Sequence, residues 1–232
     1  MIDIHSHILP SVDDGSESLK TSLALVIDEI KNGVDKIILT PHNKSDKYDT
    51  SKGEIIKNFE DLKREVENKK LNIELYLGQE VYVCDKFYEK LEKNDVITMN
   101  GTKYLLIEFN YFMETDIIKH VASVLKYGFI PVIAHVERYE YLDWNILYDL
   151  KMMGALIQIN ASCFVNNKNK SLLKNALNAI SENCVDFIAS DIHFKRKNFM
   201  KKAYKKISKI FGSEEADKLF SLNAEKCFFN LK

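Results

Sequence analysis

The sequence predicts a distorted (β/α)7 barrel of the TIM-like kind, and three observations carry that expectation. Short apolar, β-branched runs alternate with longer amphipathic segments about seven times along the 232 residues. The runs are apolar on both faces, as parallel strands covered by helices should be. Nearly every run ends in a histidine or an acid, at the end where a barrel gathers side chains from different strands.

The elements follow in order. Met1–Ile4 reads as the first strand and leads directly into His5 and His7. The stretch SVDDGSES then reads as a turn and a helix start, with Asp or Ser as cap, before a helix over Ser18–Asn32. Lys36–Leu39 is the second strand, followed by His42 in TPHN. A helix over Lys52–Lys69 precedes the strand Ile73–Leu77, and Glu80 follows in LGQEVY. After a helix at Asp85–Leu91, the strand Tyr104–Ile107 ends in Glu108. The helix Glu114–Tyr127 leads to Phe129–Ala134, which ends in His135 within VIAHVERY. The helix Asn145–Met152 leads to Ala155–Ile159, which ends only in Asn160. The helix Leu172–Glu182 leads to Asp186–Ala189, which ends in Asp191 and His193. Helices near Phe199–Phe211 and Glu214–Leu222 close the pattern. Gly33, Gly128 and Gly154 stand where a helix should stop and a strand begin. This rhythm also fits an open doubly wound sheet. Such a sheet collects polar groups mainly at its switch point, so ligands at nearly every strand end favour the barrel.

Bulk properties narrow the function. At 46% hydrophobic, the chain can bury one substantial core, although two small domains also fit; one domain over residues 1–232 is the expectation. A net charge of -1 gives no reason to expect nucleic acid as a partner. No run of about eighteen apolar residues offers a membrane span. No signal-peptide pattern precedes Asp3 and His5, and Cys84, Cys163, Cys184 and Cys227 show no CxxC spacing. Both point to reduced thiols in the cytoplasm. A cysteine nucleophile of the Cys-x5-Arg kind is excluded by spacing. Lys90, Asn169 and Ser190 stand where the arginine should be, and too little chain follows Cys227. No GxxxxGK[ST] loop occurs.

Five of the six histidines occupy the strand ends, and His120 reads as a surface residue of a helix. A lone histidine is more often a satisfied core group than a ligand. Five together with Glu80, Glu108 and Asp191 are a metal set of nitrogen and oxygen donors, suited to zinc, manganese or iron. Eight donors exceed one ion's needs, so two or three ions sharing carboxylates about 3.5–4 Å apart are expected. Glu80 and Glu108, from middle strands, are the expected bridges, with Asp13 and Asp14 as further candidates. Arg138 offers a planar fork for phosphate oxygens, against the plain alternative of an ion pair with Glu137 or Glu140. The basic run Lys195–Lys209 could draw an acidic tail to the site, or simply be a solvated helix face. Tyr82, Phe109, Tyr111, Phe112 and Tyr139 are candidate walls for a phenyl ring.

The ordered set HxH, TPH, GxE, LIEF, AHxERY and SDxH resembles the PHP (polymerase and histidinol phosphatase) superfamily. Within it the chain is similar to the bacterial manganese-dependent tyrosine phosphatases of capsular and exopolysaccharide operons. The resemblance runs from Met1 through the closing NAEKCFFN stretch. It implies a first ion on His5, His7, Glu80 and Asp191, and a second on Glu80, Glu108 and His135. It implies a third on Asp14, His42 and His193. Arg138 resembles the family's phosphate-clamping arginine and Arg196 a second phosphate contact, although SDIHFKRKNF departs from the usual register. Asp14 and His42 join these arginines as catalytic candidates. PHN with Asn43 and AHVERY with Val136 replace the family's PHH and AHPERY without removing a ligand.

The resemblance implies hydrolysis of phosphotyrosine by metal-activated water. The phosphorylated tail of a bacterial tyrosine autokinase would be the partner, manganese the first choice of ion, and iron or zinc the alternatives. A histidinol-phosphatase-like small-molecule phosphatase, a phosphodiesterase or nuclease, and a regulatory metal-binding protein are the competing readings. The native metal, the oligomeric state and the polysaccharide product stay open in the sequence.

Overall fold

The computed structural model describes residues 1–44, 47–165 and 169–230. Nine parallel strands among them make seven staves. β1 (Ile2–Ser6) pairs with β2 (Lys36–Leu39), and β2 with β4 (Glu74–Leu77). β3 (His42–Asn43) continues the line of β2 after a break at Thr40–Pro41, and β5 (Glu80–Tyr82) continues β4 after Gly78. β3 pairs with β5, and β6 (Tyr104–Glu108), β7 (Ile130–Ile133), β8 (Leu156–Asn160) and β9 (Phe187–Ala189) follow in order. The ring closes just beyond β9. Asp191 N–H donates to His5 O at 2.9 Å, and His7 N–H to Ile192 O at 2.9 Å. This is the expected barrel, and the two broken staves are its distortion.

Helices cover the outside. α1 (Leu19–Lys31) is capped by Ser18, α2 (Lys52–Asn68) by Ser51 and α4 (Ile117–Lys126) by Asp116, each accepting a first-turn N–H. α3 (Phe87–Glu92) and α5 (Ile146–Met152) are short. α6 (Ala161–Val165), directly after β8, has no counterpart in the sequence pattern. It precedes α7 (Lys170–Ser181), α8 (Met200–Phe211) and α9 (Ser213–Asp217). The helix expected over Glu214–Leu222 widens instead into a π-helical stretch at Lys218–Leu222, and a second π-helical stretch covers Glu225–Phe229. This irregular ending brings Ala224 and Phe228 against the interior residues of the barrel.

The strand alternation sorts the core into two shells. Ile37, Leu39, Leu105, Ile107, Ile133, Ile157 and Ile188 face outward and pack under the helices. Ile38, Leu106, Val132, Phe187 and Ala189 face inward and pack with Met99 and Phe228. β1 breaks the alternation. Asp3 pairs with Ile37 but Ser6 with Leu39, so one extra residue bulges out of register. The bulge lets Ile4 join the inner core while the next residue, His5, also meets an inward side chain, Gln158.

Candidate metal centre

The bulge explains how HxH can crown a strand whose Ile2 and Ile4 are already inside. Two further adjustments of the same kind follow. His135 lies one residue past inward-facing Ala134, and a left-handed backbone (φ 32°) redirects it. Asp191 also sits at positive φ (49°), where the chain turns off β9. Non-glycine residues rarely adopt this region, and here it serves ligand placement. Gly15 is required by close approach. A Cβ there would stand 2.0 Å from His7 O and 2.4 Å from His7 Cβ.

All nine expected ligands meet at the carboxyl ends of the staves. His5 Nε2 and His7 Nε2 lie 3.2 Å apart, each 3.3 Å from Glu80 Oε2. Asp191 Oδ1 is 3.7 Å from His5 Nε2 and 3.5 Å from His7 Nε2. On the other side of Glu80, Oε1 lies 2.9 Å from His135 Nε2, which is 3.6 Å from Glu108 Oε1. Asp14 Oδ1 lies 3.5 Å from His42 Nε2 and 3.4 Å from His193 Nε2. Three donor groups emerge: His5, His7 and Glu80; His42, Glu80 and Glu108; and His7, Asp14, His42 and His193. Glu80 belongs to two of them. Among the described residues His7 and His42 are shared as well, beyond the sets that the resemblance implied, while His135 and Asp191 fall in none of the three groups and only flank them, at 2.9 Å from Glu80 and 3.5 Å from His7.

The donors fit divalent ions. Ligands about 2.1 Å from one ion stand about 3–3.5 Å from each other, which is the spacing around His5, His7 and Glu80. His42 Nδ1 and Glu80 Oε2 are 2.9 Å apart, yet neither hydrogen-bonds to the other or to any described residue. Buried polar atoms are normally paired. Two adjacent orphans in a nest of carboxylates and imidazoles are what a cation would satisfy.

The electrostatics agree. Burial by itself would push the His5 imidazole down, but Glu80 and Asp191 outweigh it and hold the group at about 9. His7 is likewise raised, against burial, by Asp13 and Glu80. Burial opposes the charge on Glu80, yet His5 and His42 hold the carboxyl well below its ordinary range. Asp14 is lowered chiefly by its contact with His193. Protons on His5 and His7 thus stand in for metal charge.

Two orienting residues emerge: Asp13, expected as a further ligand candidate, and Gln158, which the sequence does not single out. His7 Nδ1 donates to Asp13 Oδ2 at 2.7 Å, and Asp13 Oδ2 also accepts from His42 N at 3.0 Å. Asp13 therefore aims a ligand rather than serving as one. Gln158 Oε1 accepts from His5 Nδ1 at 3.1 Å and from His135 N at 2.8 Å. Its only sequence signal is a polar residue inside an apolar strand, two before Asn160.

Asp191 divides its oxygens. Oδ1 faces histidines, while Oδ2 accepts from Asn160 Nδ2 (2.9 Å), Arg138 Nη1 (3.3 Å) and Arg196 Nη1 (3.5 Å). Both arginines therefore stand at the lip. The Arg138 guanidinium also lies 4.1 Å above the Tyr111 ring, and the Tyr111 hydroxyl donates to Glu108. The recess they border is about 140 Å³, with Lys44, Lys47 and Tyr48 opposite.

Other expectations are corrected. His120 is half-buried rather than a surface group, with Nδ1 2.6 Å from the Tyr88 hydroxyl. Of the five aromatics, only Tyr111 lines the recess. Phe109 and Tyr139 are core, and the Tyr139 hydroxyl donates to Ala134 O. Along the basic run, Lys201, Lys202, Lys205 and Lys209 are exposed, as a solvated helix face would be.

A closed parallel barrel with overlapping candidate metal-ligand groups at its strand ends defines a metal-centred α/β barrel. Comparison with known proteins makes the class specific. The chain belongs to the CpsB/CapC family of capsular polysaccharide synthesis, which it matches over residues 1–229. It is 38% identical to the tyrosine-protein phosphatase CpsB of Streptococcus agalactiae, over 99% of both chains. It is 33% identical to the tyrosine-protein phosphatase YwqE of Bacillus subtilis, over 92% of this chain and 86% of that one. Crystal structures of YwqE and of CpsB from Streptococcus pneumoniae are described as unique metal-dependent tyrosine phosphatases. The match to them has a TM-score of 0.90 at 30% identity, over 100% of this chain and 96% of the other. The lactonase Lmo2620 of Listeria monocytogenes, with a TM-score of 0.64 at 14% identity, shares the fold alone.

Proposed function

We propose that this chain is a metal-dependent protein-tyrosine phosphatase, with residues 1–232 acting as one catalytic unit. The observation that carries the reading is the convergence of Arg138 and Arg196 on Asp191 Oδ2, in the lining of the same recess as the shared ligand groups. A paired guanidinium lip over a cation nest is a seat for a phosphoryl dianion.

His5, His7, Glu80 and Asp191 would hold one ion, Glu80, Glu108 and His135 a second, and Asp14, His42 and His193 a third. Bound divalent ions supply the positive charge that gathers phosphoryl oxygens and acidifies water. Arg138 and Arg196 exchange Asp191 Oδ2 for phosphoryl oxygens as substrate arrives. Tyr111 keeps Arg138 level by stacking beneath it. Asp14 and His42, the ligands with the most exposed side chains (41% and 12%), line the recess and would be the ones nearest solvent when the product leaves. Phenolate leaves readily, so little proton donation is needed there. None of the four cysteines lines the recess, in keeping with water rather than thiolate as nucleophile.

The donor set contains nitrogen and oxygen only, which supports manganese, with iron or zinc as alternatives. Family membership in capsule synthesis supports a cytoplasmic enzyme acting on the phosphorylated tail of a tyrosine autokinase. Turnover by metal-loaded protein should be compared on a phosphotyrosine peptide, a phosphoserine peptide, histidinol phosphate and a phosphodiester. The phosphotyrosine peptide should lead in kcat/KM. A lead for histidinol phosphate would make this a small-molecule phosphatase instead.

A further inference from the structure

The loop after β6 shows two apolar side chains to water. Phe112 and Met113 are 72% and 70% exposed. The loop is not slack. Asn110 Oδ1 accepts from the backbone N–H of Phe112 at 2.9 Å and of Met113 at 2.8 Å, and Asn110 Nδ2 donates to the Tyr82 hydroxyl at 3.1 Å. Exposed apolar side chains fixed in place beside a binding site mark a contact surface.

Beside Phe112 runs a groove of about 640 Å³ lined by Leu142, Trp144 and Leu172, which opens at Tyr111 and Arg138. Those two residues also border the metal recess, so groove and recess form one continuous surface. At about 140 Å³ the recess admits a phosphoryl group and part of a ring, which leaves a substrate's backbone at the rim. The rim has two characters. Lys44, Lys47 and Arg196 make one side basic, while the groove side mixes the apolar Phe112, Leu142, Trp144 and Leu172 with Glu137 and Glu140, and is lined by no lysine among the described residues.

We propose that this groove seats the polypeptide flanking the phosphotyrosine, with an apolar side chain next to it packed against Phe112, Met113 and Trp144. The inference rests on the phosphotyrosine-protein reading. It makes the enzyme a reader of sequence context, in which an apolar neighbour is selected on the groove side.

The test uses the double variant Phe112→Ser, Met113→Ser on metal-loaded protein. Both side chains are exposed, so fold and metal content should be kept. Three substrates are compared: a phosphotyrosine peptide with leucine neighbours, the same peptide with glycine neighbours, and p-nitrophenyl phosphate. The parent should favour the leucine peptide. The variant should raise KM for that peptide about tenfold, as loss of a buried apolar contact does, with kcat kept and the other two substrates within about twofold. Equal losses on all three substrates would place these residues in the catalytic centre and overturn the proposal. No change on any would also overturn it. Concentration-dependent self-association that the variant abolishes, with peptide preference unchanged, would assign the patch to a second copy and overturn it too. If the parent turns over p-nitrophenyl phosphate but neither peptide, the phosphotyrosine reading itself has failed.

Discussion

The lower and upper storeys of the barrel interior come from alternate positions of the same strands, yet they behave oppositely. Along β8 the inward side chains run Leu156, Gln158, Asn160, and along β6 they run Tyr104, Leu106, Glu108. The β4–β5 stave reads Tyr76, Gly78, Glu80, and the last stave Phe187, Ala189, Asp191. Each begins apolar or aromatic and ends polar. The lower storey packs around Met99 and Phe228 and stabilises the fold by burial. The upper storey buries carboxylates and imidazoles at a desolvation cost and leaves His42 Nδ1 and Glu80 Oε2 without a hydrogen bond among the described residues. Stability is concentrated below so that the frustrated cluster above can be held in place for cations.

That contrast should break cleanly under mutation. Glu80→Gln should have the largest effect, because one carboxylate touches His5, His7, His42 and His135. Metal content and turnover should both fall, by more than the ~10–100-fold typical of residues that merely orient ligands. Circular dichroism should show an intact fold. Unchanged metal occupancy and rate would remove Glu80 from the bridging position.

Phe228→Ala is the mirror case. It empties a fully buried site beneath the barrel and should cost about 3–5 kcal/mol in denaturant unfolding. Metal stoichiometry and kcat of the folded fraction should be those of the parent. A changed metal content would mean that the storeys are not separable.

Arg138→Ala comes next and sharpens the division within the upper storey. Folding and metal content should persist while turnover of a phosphotyrosine peptide falls ~10²-fold. Lysine should restore only part, since it keeps charge but loses the fork. Kinetics within about twofold of the parent would return Arg138 to a plain ion pair with Asp191.

The smallest effect is a pH-dependent difference between metal-free and loaded protein. His5 moves from an ordinary 6.5 to about 9 in the folded chain, so its stabilisation is full below about 6.5 and is lost as pH rises through about 9. His7 acts in the same direction. Glu80, Asp14 and Asp191 are lowered, so their contribution is present above the ordinary carboxylate range and is lost in acid. His193, lowered by burial and by His7, works against the trend at the acid end. The metal-free protein should therefore lose Tm between about pH 6.5 and about pH 9, while the loaded protein, whose ions replace those protons, should not. Parallel Tm profiles would contradict this.

Much of the upper storey was legible in the sequence because it is written at strand ends, one or two residues past each apolar run. His5, His42, Glu108 and Asp191 need only the βα rhythm to be placed. What escaped depends on contacts across the fold. The β1 bulge and the left-handed turns at His135 and Asp191 are imposed by ring closure and ligand placement, and local propensity does not signal them. Asp13 looks like a turn residue until His7 Nδ1 is found against it. Gln158 is one polar residue in an apolar strand, and its two partners lie on other strands. His120 was misread because helix position alone does not reveal Tyr88 beside it. The floor at Phe228 was invisible because the π-helical ending has no simple periodicity.

The most direct measurement strips the protein with chelator and returns manganese in counted equivalents while activity on a phosphotyrosine peptide is followed. Shared ligands predict that the first equivalent gives little turnover and that activity climbs with the second and third. Full activity at one equivalent per chain, or with none, would contradict a shared cluster.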